Sequence, residues 1–228
     1  METRLSTDDF TSELARRHRV LLLGGMAIIA HGLSRPTKDS DIWLEPFSSV
    51  DEWVVNCLQV VDSFRGSFVW SLAERRRLDH IDEVVADISD YGVIRISGLD
   101  LPLDIFRKPN ELELDEFNAV WVAASPLKSG VRLPHEMDLY RTKANTGREH
   151  DWKDQLFLES LVKERLPICD LAEATSMLDR FLDPEALQHA RTNPNPEVRA
   201  LALKYLREFE VEGDPYSRDI LAAGGWED

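Results

Sequence analysis

Cysteine is nearly absent: Cys57 and Cys169 are the only two among 228 residues. A single pair cannot build a disulfide framework, and such sparse usage points to a reducing compartment. Cationic residues are also scarce, with 27 Lys and Arg against 42 Asp and Glu and a formal net charge of −15. A chain this acidic is a poor general binder of polyanions. Any phosphate-bearing ligand would therefore need a local basic strip or a divalent cation. Long apolar runs are missing as well. The longest, residues 20–30, contains Gly24-Gly25 and is too short to span a bilayer. The start of the chain, Met1 to Asp9, has no apolar leader segment, so a cytoplasmic location away from membranes is expected. The six histidines and two cysteines show no zinc spacing. No nucleophile elbow, P-loop, dinucleotide fingerprint or internal repeat is present.

What remains is an ordinary globular composition, 43% hydrophobic and 30% charged. Residues 8–17 read as a short helix capped by Ser6 or Thr7. Arg19-Val-Leu-Leu-Leu is a buried strand ending at two glycines, and a helix follows over 26–31. Residues 39–44 form a second strand, terminated by Pro46. Ser49-Val-Asp-Glu has capping-box spacing and opens a helix to about Val61. Residues 63–79 carry no clear pattern. Residues 91–106 read as a hairpin turning at Ser97-Gly98. Residues 120–123 and 131–133 suggest short edge strands. From Pro134 the pattern is helical, over 135–145, 151–163, 170–181 and 196–209, with a loosely held acidic tail from 210. The expected fold class is α+β (α/β): residues 1–132 hold a small mixed sheet flanked by helices, and residues 133–228 form a helical C-terminal region.

Three features carry chemistry. Gly24-Gly25 lies at a strand end just before a helix, where bare backbone N–H groups admit a phosphate. Asp39 and Asp41, two apart on a strand, project from one face, and like charges that close need something positive between them. Asp104 interrupts the apolar run Leu101-Pro-Leu-Asp-Ile-Phe, an expensive position unless the carboxylate is ligated or paired. If its strand lies beside that of Asp41, the three carboxylates suit two Mg²⁺ ions about 3.5–4 Å apart, the geometry of in-line phosphoryl or nucleotidyl transfer.

Leu23-Gly24-Gly25, a gap of thirteen residues, Asp39-Ser40-Asp41-Ile42 and a later Asp104 between apolar neighbours resemble the polymerase-β-type minimal nucleotidyltransferase motif. The phrase from Gly24 to Asp41, with His31-Gly32, Arg35-Pro-Thr37 and Lys38 between, is similar to the bacterial branch that includes AbiEii-type toxins. A second stretch, Leu139-Tyr-Arg-Thr-Lys143 followed by Arg148-Glu-His-Asp151-Trp-Lys-Asp154, resembles the start of a later helix in those proteins, with His150 where Lys is usual. The likeness covers about residues 19–165.

The resemblance implies that Gly24 and Gly25 cradle a triphosphate and that Asp39 and Asp41 hold Mg²⁺ (Mn²⁺ being a substitute). It further implies that Asp104 completes a second metal site and helps activate an acceptor hydroxyl. Lys143 and Arg148 would neutralise phosphate, and Asp151 and Asp154 would lock Arg148 or contact ribose. The implied activity moves an NMP group from an NTP to a hydroxyl of RNA, protein or a small molecule. A toxin–antitoxin role follows by analogy. Two other classes stand beside it: a non-catalytic nucleotide- or partner-binding relative, and an interaction protein whose C-terminal helices bind a partner.

Among other candidates, His31 reads as a structural histidine and Arg35 as a solvated loop residue or a phosphate contact. Arg75-Arg76-Arg77 is the most basic spot, a solvated face or an RNA contact. Trp43, Trp53, Trp70 and Trp121 read as core.

Overall fold

The computed structural model describes residues 5–226. Met1 to Arg4, part of the stretch read as lacking a leader, and the last two residues of the acidic tail lie outside the described residues. The fold is α+β, and the chain divides after Ala144 into two compact units. Among the described residues no helix is long and apolar enough to cross a membrane.

The first unit opens with α1 (Thr7–Arg17), where the Ser6 hydroxyl accepts the Asp9 N–H. Next come β1 (Val20–Leu23), α2 (Gly24–Ala30) and β2 (Ser40–Leu44). The helix α3 (Val50–Ser63) begins where the Ser49 hydroxyl accepts the Glu52 N–H, as the Ser-x-x-Glu spacing predicts. Residues 63–79, without pattern in the sequence, supply β3 (Phe68–Ser71) and β4 (Arg76–Leu78). The helix α4 (Ile81–Tyr91) leads into β5 (Val93–Ser97) and β6 (Leu103–Phe106).

Residues 117–123, expected in part as an edge strand, are instead α5 (Phe117–Ala123). Phe117 and Val120 are three apart and both buried while Val122 is exposed, so helical period overrides the β-branched composition. The short strands β7 (Ser125–Pro126) and β8 (Arg132–Leu133) and the helix α6 (Glu136–Lys143) complete the unit.

The eight strands form one sheet in the order β4-β3-β5-β6-β2-β1-β8-β7. Alternation gives it two different faces. Val20, Ile42, Leu44, Ile94, Ile96, Leu103 and Ile105 join one core with Phe10 and Leu14 of α1, Trp53, Val54 and Cys57 of α3, and Val84 and Ile88 of α4. The opposite face carries Trp43, whose ring meets Phe117 edge-on at 5.0 Å, and the polar residues described below.

The second unit is helical: α7 (Glu149–Arg165), α8 (Leu171–Leu178), α9 (Pro184–His189), α10 (Pro196–Val211) and α11 (Pro215–Ala222). Its core includes Leu158, Val162, Leu166, Met177, Leu187, Val198 and Leu206. The side chains of Asp170, Asp183, Asn195 and Asp214 each accept a backbone N–H at a helix start. The expectation of a loose tail is thereby corrected: α11 is capped by Asp214, opens on Pro215, and buries Ser217, while Trp226 beyond it is also buried.

Candidate active site

Registry across the centre of the sheet assembles the site. Strands β1 and β2 are antiparallel with Leu23 opposite Asp41; β2 and β6 are parallel with Asp41 opposite Asp104; β6 and β5 are antiparallel with Asp104 opposite Arg95. Directly opposed residues share a face, so Asp41, Asp104 and Arg95 form a row on the face away from the apolar core. Asp39, two residues before Asp41, precedes the strand and stands half exposed beside the row.

Arg95 clasps Asp104 with a planar fork. Its Nε donates to Oδ1 at 2.7 Å and its Nη2 to Oδ2 at 2.6 Å. The same Nη2 lies 3.7 Å from Oδ2 of Asp39. Asp104 is buried, and this pairing answers the cost of a carboxylate in an apolar strand. Asp41 lacks such a clasp. Burial, then repulsion from Asp104 and from Asp39, pushes its carboxyl up to about 7, against weaker opposing pulls from Lys143 and Arg95. Lys143, on the last turn of α6, is itself buried and so brings a desolvated cation toward Asp41.

The two glycines are fitted to this row. Gly24 has φ +57°, and a Cβ there would lie 1.7 Å from Oδ2 of Asp41. A Cβ on Gly25 would meet Oγ1 of Thr37 at 2.7 Å and Nη2 of Arg35 at 3.0 Å. The Thr37 hydroxyl donates to the carbonyl of Asp39 at 3.0 Å, tying the loop to the first acid of the pair. Gly24, Gly25, Asp39, Asp41, Asp104 and Lys143 thus lie together in the first unit. Among the described residues, no three acidic, histidine or cysteine side chains are drawn close enough to ligate one ion.

Arg148, Asp151 and Asp154 belong to the second unit. Arg148 precedes α7 and its Nε donates to Oδ2 of Asp151 at 2.6 Å; Asp151 and Asp154 are both buried on that helix. His150 Nε2 lies 3.7 Å from Oδ1 of Asp151.

Elsewhere, His31 Nε2 meets the carbonyl of Pro134 at 3.0 Å, in keeping with a structural role. Two of the three arginines in the run are paired with nearby acids: Arg76 with Glu74 and Glu83, and Arg77 with Asp79 while lying over the Phe68 ring. Trp43 and Trp53 are fully buried.

Sequence reasoning passed over Arg95 and Thr37. A detectable signal for Arg95 existed: a lone arginine in Val93-Ile-Arg-Ile and a lone aspartate in Leu103-Asp-Ile sit in the two arms of one hairpin, and pairing them sets its register. The sequence matches no family model, and no curated protein matches it.

Proposed function

We propose that the chain is a divalent-metal-dependent nucleotidyltransferase that moves an NMP group from an NTP to a hydroxyl acceptor. The observation that carries this reading is the registry of Asp41 beside Asp104 on adjacent parallel strands, with Gly24 packed against the Asp41 carboxylate. The resemblance to polymerase-β-type nucleotidyltransferases supports the same reading.

The donor set suits a hard divalent cation. Asp39 and Asp41 offer oxygen ligands from one face, and their mutual repulsion with Asp104 favours any positive charge placed among them. Asp39 and Asp41 would hold such an ion, which when bound supplies Lewis-acid stabilisation of charge on the α-phosphate. The chain's own residues do the rest. The Asp41 carboxylate fills the side-chain position of Gly24, Thr37 and Arg35 fill that of Gly25, and Lys143 adds a buried positive charge. Arg95 fixes Asp104 in direction. In the reaction a bond forms between the acceptor oxygen and the α-phosphorus, the bond to pyrophosphate breaks, and the hydroxyl proton is released.

The test is incubation of the full chain with labelled NTPs, Mg²⁺ and separate pools of RNA, protein and small hydroxyl compounds. Label transfer is expected, with a loss of roughly a hundredfold or more on Asp41→Asn. Absence of transfer from all four NTPs to every pool overturns the enzyme reading.

One observation favours a second reading, a nucleotide-binding relative without turnover: both oxygens of Asp104 are already engaged by Arg95. Calorimetric NTP titration separates the two. Binding that needs Mg²⁺ and Asp41 favours the enzyme, and binding indifferent to both favours the module.

A further inference from the structure

A cation already sits inside the acidic row. The Arg95 guanidinium is permanently charged, and its fork satisfies one lone pair on each oxygen of Asp104 at 2.7 and 2.6 Å. Its Nη2 also lies 3.7 Å from Oδ2 of Asp39, so one group reaches two of the three carboxylates. The clasp is built into the sheet: Arg95 and Asp104 are register partners on β5 and β6, and both adjoining strands hold them on the same face. An ion seeking Asp104 would have to compete with a bidentate, half-buried guanidinium for the same oxygens. Asp41 carries no such fork, and its carboxylate lies against the bare backbone of Gly24.

We propose that Arg95 takes the part of a second divalent ion: the site holds one cation between Asp39 and Asp41, and Arg95 supplies at Asp104 the positive charge that a second would bring. The inference rests on the metal-dependent reading above. It departs from the expectation of two ions, and assigns Arg95 as a positioning residue that fixes Asp104 and offsets its charge.

The test counts ions without using activity. Mn²⁺ alone is titrated into the full-length chain, with free Mn²⁺ followed by electron paramagnetic resonance. One Mn²⁺ per chain is expected for the wild type, lost on Asp41→Asn. Arg95→Met is expected to bind two, and Arg95→Met with Asp104→Asn to return to one. Because Arg95→Met strips a buried carboxylate of its partner, Arg95→Gln, which retains a neutral donor, is measured beside it, with circular dichroism to verify folding. Two Mn²⁺ on the wild type, or one on both folded Arg95 variants, overturns the role of Arg95 while leaving the metal-dependent reading in place. No Asp41-dependent Mn²⁺ on the wild type overturns both.

Discussion

Gly24 leaves its side-chain position to Asp41: a Cβ on the glycine would fall 1.7 Å from Oδ2 of that carboxylate. The Gly24 backbone is also left-handed, at φ +57°. Two costs therefore meet in Gly24→Ala, backbone strain and displacement of a buried acid. Together they are expected to destabilise the fold by about 1–3 kcal/mol. Gly25→Ala presses on the Thr37 side chain and the end of Arg35 without a left-handed backbone and should cost less. Thermal unfolding of both variants checks the difference. Equal losses would mean that the contact with Asp41 is not what demands glycine at 24.

Asp41 makes the metal-free protein sensitive to pH. Its carboxyl is pushed from an ordinary 3.8 up to about 7 by burial and by Asp104 and Asp39. Between these values the folded chain retains a proton that the unfolded chain has released. Stability therefore falls as pH rises through that window, by about 1.4 kcal/mol per unit for this one group, and levels off above it. In Asp41→Asn that contribution to the slope vanishes, so the variant should match the wild type near pH 4 and exceed it at pH 8. Urea titrations in chelator at both pH values measure this, and a variant no more stable at pH 8 would contradict it.

Lys143 is buried at the end of α6 and its charge acts on Asp41. Under the nucleotidyltransferase reading, Lys143→Met should weaken NTP binding about tenfold, equivalent to about 1.4 kcal/mol. Calorimetry with Mg²⁺ present reads this. Unchanged affinity in a folded variant would restrict Lys143 to a structural part.

In the second unit, Asn193 is a buried bridge. Its Nδ2 donates to the carbonyls of Leu166 at 2.7 Å and Cys169 at 2.9 Å, while its Oδ1 accepts the Asn195 N–H at 2.8 Å. Asn193→Ala leaves those groups without this partner and should cost about 1–3 kcal/mol. Chemical denaturation followed at Trp226 or Trp152 checks it. A change within a few tenths of a kcal/mol would show that the bridge carries little net stability.

The site was legible where residue type and spacing act locally. Gly-Gly after an apolar run marks β1 and α2, and the two-residue spacing of Asp39 and Asp41 places one acid just before β2 and the other within it. Legibility fell where distant pairing decides. The hairpin of β5 and β6 was expected to turn at Ser97-Gly98, but opposing Val93 to Phe106 shifts the arms so that Arg95 meets Asp104. That pairing is invisible to a reading along one strand. The segment 120–123 misled because its β-branched residues fit a strand, whereas burial of Phe117 and Val120 makes it a helix. The hairpin of β3 and β4 escaped because Arg75, an arginine at φ +55°, lies in the turn between them where Gly or Asn would have advertised it. The tail was misjudged on its acidity and its glycines, although Asp214-Pro215 is a helix start in its own right.

The row from Leu23 through Asp41 and Asp104 to Arg95 bears on how the sheet finds its pairing. Side chains alternate between faces, so a slip of one residue in β2 or β6 would carry Asp41 or Asp104 into the layer shared with Trp53, Val54 and Cys57. An unpaired carboxylate there is far costlier than a misplaced leucine. Asp41 and Asp104 thus also act as proofreaders of strand alignment, and any chain that folds with its apolar face intact has already delivered them to one side, in order.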